Sequence, residues 1–316
     1  SFSSLRKNTD QSSLYHSESL QGQLKVVDQP GGKIGMPRYL QINGVSQTRM
    51  FLDFNNPSSS ESGWWYVHLD AALASHVPKN SNTLLMGFGG GSVATELVKL
   101  EMKLDVVEID GRLPEIAYDY FLFDTTGVNF YIDDARHFIK KNQTTKKYDL
   151  ILIDLLHGEV QPNHIFTVEG LQELRQLATE NATIIVNYQS NHDEPEKPYL
   201  AILNTLWAAG YDAILTNYIK DRPADYIFVA SPSSLPNNLF DKFHMNDCCF
   251  NNKNVQSFIL DPKFITKDSK IILDNPDLPI LTDDAPILET MNKETIVTWR
   301  ENMIKQTKTT DFTLFK

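Results

Sequence analysis

The chain has 316 residues, 41% of them hydrophobic and 22% charged, with 40 Asp+Glu against 29 Lys+Arg. Those proportions describe a globular protein of one large domain, or one large and one small, and exclude a disordered, collagenous or coiled-coil chain. The net charge of −11 argues against phosphate-backbone binding, so no nucleic-acid partner is expected. No apolar run approaches the roughly 18 residues of a membrane span. Cys248 and Cys249 are adjacent and read as reduced thiols rather than a staple or a zinc site. The chain begins at Ser1 in a polar stretch to about Glu18, which reads as a piece cut from a longer protein.

In chain order, Leu24 to Val27, Arg38 to Ile42 and Val45 to Phe51 are β-favouring runs punctuated by Pro30-Gly31-Gly32 and Asn43-Gly44. Asn-Gly between two such runs predicts a hairpin. Residues 1–63 therefore read as a tail and a small antiparallel β domain, and residues 64–316 as a second domain. In the latter, Tyr66 to His76 is helical. Apolar strands follow at Thr83–Gly87, Leu104–Ile109, Val128–Ile132, Asp149–Asp154 and Ala182–Val186. Each precedes a helix: Val93–Leu100, Leu113–Phe121, Ala135–Lys140, Phe166–Ala178 and Tyr199–Ala208. Asp212–Thr216 and Tyr226–Ala230 add two strands close together. Unalternating runs predict a parallel sheet covered by helices on both faces. The fold class is α/β, a seven-stranded Rossmann-like sheet of the class I methyltransferase type behind a small antiparallel β domain.

Gly87-Phe88-Gly89-Gly90-Gly91-Ser92 lies between the first of these strands and a helix. Glycines there let the backbone turn sharply and approach a ligand, so Gly87, Gly89 and Gly91 are candidate binding positions. Glu108 ends the next strand, 21 residues after Gly87, where a carboxylate can accept ribose hydroxyls. Asp110 joins that site or caps a helix. Asp133-Asp134-Ala135 ends the third strand; Asp134 beside Ala135 suits an adenine amino group, with an N-cap as the alternative. The turn lacks the third glycine of the dinucleotide fingerprint and has no Arg or Lys for a pyrophosphate. A nucleoside with a sulfonium tail fits better than NAD.

The fourth strand runs Tyr148-Asp149-Leu150-Ile151-Leu152-Ile153-Asp154, ending in a carboxylate that faces the ligand crevice. This order of motifs, with Phe166-Thr167 opening the next helix, resembles the spermidine synthases, or polyamine aminopropyltransferases. Glu18 to Leu24, Asn43 to Thr48, Tyr66 to Asp70 and Leu281 to Pro286 most resemble the soluble spermidine-synthase-like domain of membrane-fused members. The resemblance implies decarboxylated S-adenosylmethionine as co-substrate and a small-molecule amine, such as a polyamine, as acceptor. It implies Glu108 on the ribose, Asp134 and Ala135 on the adenine, and Gln23 and Gln47 on the nucleoside and aminopropyl side. Asp154 would orient the attacking amine and take its proton, with Tyr66 flanking the amine chain. Pairing of subunits into a homo-oligomer, a cytoplasmic location and a membrane-attached parent chain are also expected.

The chain departs from the family pattern at three places. The family's turn is Gly-Gly-Gly-Asp-Gly-Gly, with the Asp replaced here by Gly90; its second acid after the catalytic one is His157; its Tyr-His-Glu cluster reads Tyr66-Val67-His68. His68, His157 and Glu159 are the candidate substitutes on the substrate side. Two alternatives follow: a methyltransferase using S-adenosylmethionine itself, which the loss of the acid at Gly90 would suit, or a non-catalytic nucleoside-binding module of a membrane protein. The other histidines show no metal-ligand spacing, and no metal is expected. Asp283 and Asp284 read as loop caps with a lesser claim on the crevice.

Overall fold

The computed structural model describes residues 13–28, 37–143, 146–156, 161–191, 197–216, 223–236, 239, 264–298 and 301. His157, Glu159, Cys248 and Cys249 lie outside the described residues.

Five strands come first: β1 (Ser13–Ser19), β2 (Gly22–Asp28), β3 (Pro37–Ile42), β4 (Val45–Phe51) and β5 (Glu61–Ser62), an antiparallel meander paired in chain order. The Asn43-Gly44 turn has both residues at positive φ, 52° and 83°, as a type I′ hairpin requires. β1 occupies the stretch that the sequence shows only as polar. It buries no residue and is held by its backbone ladder to β2 and by Tyr15 against Tyr120, rings 5.6 Å apart. A strand without an apolar face leaves no periodic signal.

The second sheet is built from α1 (Trp65–Ala74), β6 (Asn82–Met86), α2 (Ser92–Lys99), β7 (Lys103–Glu108), α3 (Leu113–Phe121), β8 (Asn129–Ile132), α4 (Ala135–Asn142), β9 (Tyr148–Ile153), α5 (Val168–Arg175), β10 (Ala178–Asn191), α6 (Pro198–Ala208), β11 (Asp212–Leu215) and β12 (Pro223–Ser231). Its strand order is β11-β12-β10-β9-β6-β7-β8. β6 to β10 are parallel, while β12 runs antiparallel to both neighbours, inserted between β10 and β11. The seven-stranded α/β reading of the sequence therefore holds.

Both faces of the sheet are covered, which explains the unbroken apolar runs. Leu84, Met86, Ile151 and Ile153 belong to the core shared with α4, α5 and α6. Their strand neighbours Leu85, Leu150 and Leu152 point the other way, into a core shared with α1, α2, α3 and the meander residues Leu24, Leu40 and Met50. β8 departs from the expected two-sided burial: it is the sheet edge, and Asn129, Tyr131 and Ile132 are exposed. The meander therefore packs on one sheet face, close to the carboxyl ends of the parallel strands. Contact is direct where the Gly90 N–H donates to Thr48 Oγ1 of β4 at 2.8 Å.

On the other side, the guanidinium of Arg136 on α4 ties the C-terminal segment down. It donates to Glu173, to the His164 carbonyl and, at 3.0 and 3.2 Å, to both oxygens of Asp283. Thr167 adds a 2.6 Å hydrogen bond to Asp283. Asp283 is thus a clamp between helices, not a crevice residue. Arg136→Met strands two carboxylates and is expected to cost about 3–5 kcal/mol in urea unfolding. Asp283→Asn should cost less. Arg136 and Thr167 hold the Asp283 carboxyl below its ordinary range, so the stability it adds is lost as pH falls. The Asp283→Asn deficit at pH 7 should accordingly close below about pH 4; a deficit unchanged at low pH would contradict the clamp.

Candidate functional site

The parallel strands deliver their last residues to one edge of the sheet, and the turn after β6 sets the geometry there. Gly87 has φ +88°, and a Cβ on it would lie 2.1 Å from the Asp154 carbonyl oxygen. Only glycine fits this approach, which brings the Gly-rich turn against the end of β9. Gly91, also at positive φ, caps α2. Beside the turn lies a cavity of about 560 Å3, within the size range of small-molecule sites.

One end of the cavity holds Glu108 at the carboxyl end of β7. Its oxygens accept the N–H groups of Phe88 at 2.9 Å and Asp110 at 2.8 Å, so the carboxylate fixes the turn and the start of the next loop together. Each oxygen keeps a lone pair for a further donor. Burial pushes its pKa up, against the pull of the N–H bonds. Asp110 is paired with Arg112 at 2.6 Å, and Arg112 reaches across to Ser17 and the Gly22 carbonyl in the meander. Asp134 caps α4 through the His137 N–H at 3.0 Å and meets His164 at 3.1 Å with its other oxygen. It performs the cap role and also lines the cavity, as does Ala135.

Asp154 lies at the other end. The Asn187 amide donates to its Oδ1 at 2.9 Å, and the Tyr66 hydroxyl to its Oδ2 at 3.4 Å. Two more acids stand near. Asp225 on β12, opposite Gln189 on β10, accepts the Gln189 amide at 2.7 Å. Asp70, one helical turn after Tyr66, is fully buried, and neither of its oxygens has a hydrogen-bond partner among the described residues. Burial raises the pKa of all three acids; the Asp154 charge adds to the rise at Asp70 and Asp225, and Asp225 reaches about 7. Tyr66 is raised by burial and then by the Asp154 charge, so it remains a neutral donor.

Of the residues singled out from the sequence, Asp154, Tyr66, Gln47, Gly87, Gly89, Glu108, Asp110, Asp134 and Ala135 line this cavity. Gln23 does not; its side chain turns to Glu18, and Gln21 of the same turn faces the cavity instead. His68 lies buried in α1 with Nε2 on the Ser62 carbonyl at 3.1 Å, away from the lining. The sequence reading missed Asp70, Asn187, Gln189 and Asp225. Position 90 is closed: a Cβ there would sit 2.8 Å from Thr48 Cγ2.

With this geometry in place, similarity to known proteins becomes specific. Residues 68–204 match the family description "Spermine/spermidine synthase domain". A polyamine aminopropyltransferase of Vibrio vulnificus is 30% identical over 193 residues, 58% of this chain and 62% of that protein. One from Thermoplasma acidophilum is 28% identical over 177 residues, 52% of this chain and 64% of the relative. The matches thus span somewhat under two thirds of these curated relatives. Among solved structures, a probable spermidine synthase from Corynebacterium glutamicum aligns with a TM-score of 0.61 at 15% identity, over 86% of this chain and 95% of that one. At that identity the structural likeness speaks for the fold.

The acid cluster makes stability depend on pH. A carboxyl whose folded pKa is raised keeps its proton after the unfolded chain has released it. Stability of the ligand-free protein should therefore fall as pH rises from about 4 to about 7. Asp225→Asn removes one such group, with its pKa of about 7. The variant is expected to melt roughly 1–2 °C above the parent at pH 8, the shift that about 1 kcal/mol gives at this size. Near pH 4.5 the two should melt together. A lower melting temperature for the variant at pH 8 would contradict the buried charge.

Proposed function

We propose that the chain, which matches the spermine/spermidine synthase domain over residues 68–204, is a member of the spermidine synthase family and an aminopropyltransferase acting on decarboxylated S-adenosylmethionine and a small amine. The observation that carries the proposal is Asp154, a half-buried carboxylate at the end of β9 that shares one cavity with Glu108 and the Gly-rich turn. Glu108 would take the ribose hydroxyls and Asp134 with Ala135 the adenine edge, leaving the sulfonium arm to run toward Asp154. Gln21 and Gln47 would close the meander side.

An aliphatic amine has a pKa of about 10 and must lose a proton before it attacks. Asp154 would bind and orient the ammonium and accept that proton, directly or through water. The Asn187 amide and the Tyr66 hydroxyl hold the carboxylate in place for this task. The nitrogen then forms a bond to the carbon next to sulfur. The carbon–sulfur bond breaks with its electron pair on sulfur, and methylthioadenosine leaves. Because the sulfonium is already a good leaving group, positioning and one base account for the demand on the protein.

Mass spectrometry of reactions with each donor and a panel of amines tests the reading. Decarboxylated S-adenosylmethionine should give methylthioadenosine and a lengthened amine, with kcat lowered about 10²- to 10⁴-fold in Asp154→Asn. S-adenosylhomocysteine from the intact donor would replace this reading with methyl transfer. Methylthioadenosine binding without turnover of either donor would leave a nucleoside-binding module.

A further inference from the structure

The cavity is lopsided in its hydrogen-bonding groups. Its acids stand at or just past the carboxyl ends of β7, β8 and β9 and on β12; none stands on the Gly-rich turn or on α2. The turn end offers donors instead. Ser92, the first residue of α2, lines the cavity and is 7% exposed, and its Oγ has no hydrogen-bond partner among the described residues. A buried hydroxyl without a partner is costly. Its surroundings repeat the pattern. The N-cap of α2 is Gly91, which has no side chain to accept the first-turn N–H groups, and no acid follows in that turn. Helices α4 and α5 have such an acceptor, in Asp134 and Thr167. Thr48, 3% exposed and also in the lining, accepts the Gly90 N–H through Oγ1, which leaves its own proton to donate.

What answers two hydroxyls and an uncapped helix start is an acceptor with negative charge. No lysine or arginine lines the cavity, so a bare anion would meet the acids of the far end without compensation. An anionic group that carries its own cation on the same ligand meets both demands. The nucleoside reading supplies one such ligand, S-adenosylmethionine that has kept its carboxylate. Its arm bears an ammonium beside the carboxylate and a sulfonium at the other end.

We propose that the turn end, through Ser92, Thr48 and the start of α2, is a carboxylate subsite, and that the chain transfers the 3-amino-3-carboxypropyl arm of intact S-adenosylmethionine to its amine acceptor. This rests on the amine-acceptor reading above and widens its donor. The chemistry at the acceptor is the same. The amine nitrogen, having given its proton to Asp154, forms a bond to the carbon of the arm next to sulfur. The carbon–sulfur bond breaks with its electron pair on sulfur, methylthioadenosine leaves, and the amine keeps the arm with its carboxylate. A decarboxylated donor reacts in the same way but leaves Ser92 unmatched.

Calorimetry of the full chain with intact and decarboxylated S-adenosylmethionine, each referred to methylthioadenosine, reads the subsite. The parent protein is expected to bind the intact donor roughly 10- to 100-fold more tightly than the decarboxylated one, the range for a hydrogen bond to a charged group. Ser92→Ala should cut that ratio about tenfold, and Ser92→Thr should keep it. Ser92→Asp suits a helix start yet sets a charge against the carboxylate, so it should bring the ratio below one. A merely structural serine would not invert the preference. Mass spectrometry with the intact donor reads the transfer, as an amine heavier by the 3-amino-3-carboxypropyl group and diminished in Asp154→Asn. A parent protein that favours the decarboxylated donor, or a ratio indifferent to all three variants, overturns the subsite. S-adenosylhomocysteine in place of the lengthened amine, or no lengthened amine from the intact donor, overturns the transfer. In each of these cases a lengthened amine from the decarboxylated donor leaves the reading above intact, and its absence with both donors overturns both.

Discussion

A pair of acids, one buried and one half-buried, without a counter-ion is the constraint around which this structure is arranged. Asp154 and Asp70 have no arginine or lysine in ion-pair contact among the described residues, and burial raises both pKa values. Elsewhere the chain pairs its buried charges carefully: Arg136 with Glu173 and Asp283, Arg112 with Asp110, Glu96 with Lys99. A fold that neutralises acids in three other places has the means to do so at the cavity. Leaving them unmatched costs stability at any pH where they are ionised.

Topology determines which residues share that constraint. The turn after β6 presses so closely on the end of β9 that no side chain fits at Gly87, which brings the turn fixed by Glu108 against the end of β9, where Asp154 stands. Extending β10 past the end of β9 then brings Asn187 and Gln189 above the crevice, and the antiparallel insertion of β12 sets Asp225 opposite Gln189. Helix α1 closes the space with Trp65 and Tyr66, and Asp70 lies one turn further along it. The cavity is therefore a product of three sheet registers and one helix phase. Its acidic end depends on the pieces furthest apart in sequence.

That dependence explains what the sequence made legible. The βα alternation was readable because both sheet faces are covered, so each parallel strand carries its own apolar run. The nucleoside-side residues were readable because each belongs to a local motif at a strand end. Asp225 and Gln189 belong to no motif; their meeting is a consequence of strand register across an intervening helix and strand. Asp70 did leave a signal, its spacing of four from Tyr66 on a helix, which puts both on one face. The same rule removes His68: two residues on, it is turned by about 200°, and it bonds to Ser62 instead. Gln23 was displaced by Gln21 for a comparable reason, since alternate residues entering a strand face opposite sides only once the tight turn at Gly22 has ended.

Gly90 has a physical setting that sequence alone hides. Thr48 fills the space a side chain would need, and its hydroxyl accepts the Gly90 N–H that an open turn would offer to a ligand. The turn and the meander are thus fitted to each other as a pair. An aspartate placed at position 90 by itself would force Thr48 aside and strand that N–H. The backbone of the turn and Glu108 then share one part of the cavity lining, and Asp154 and Asp225 another.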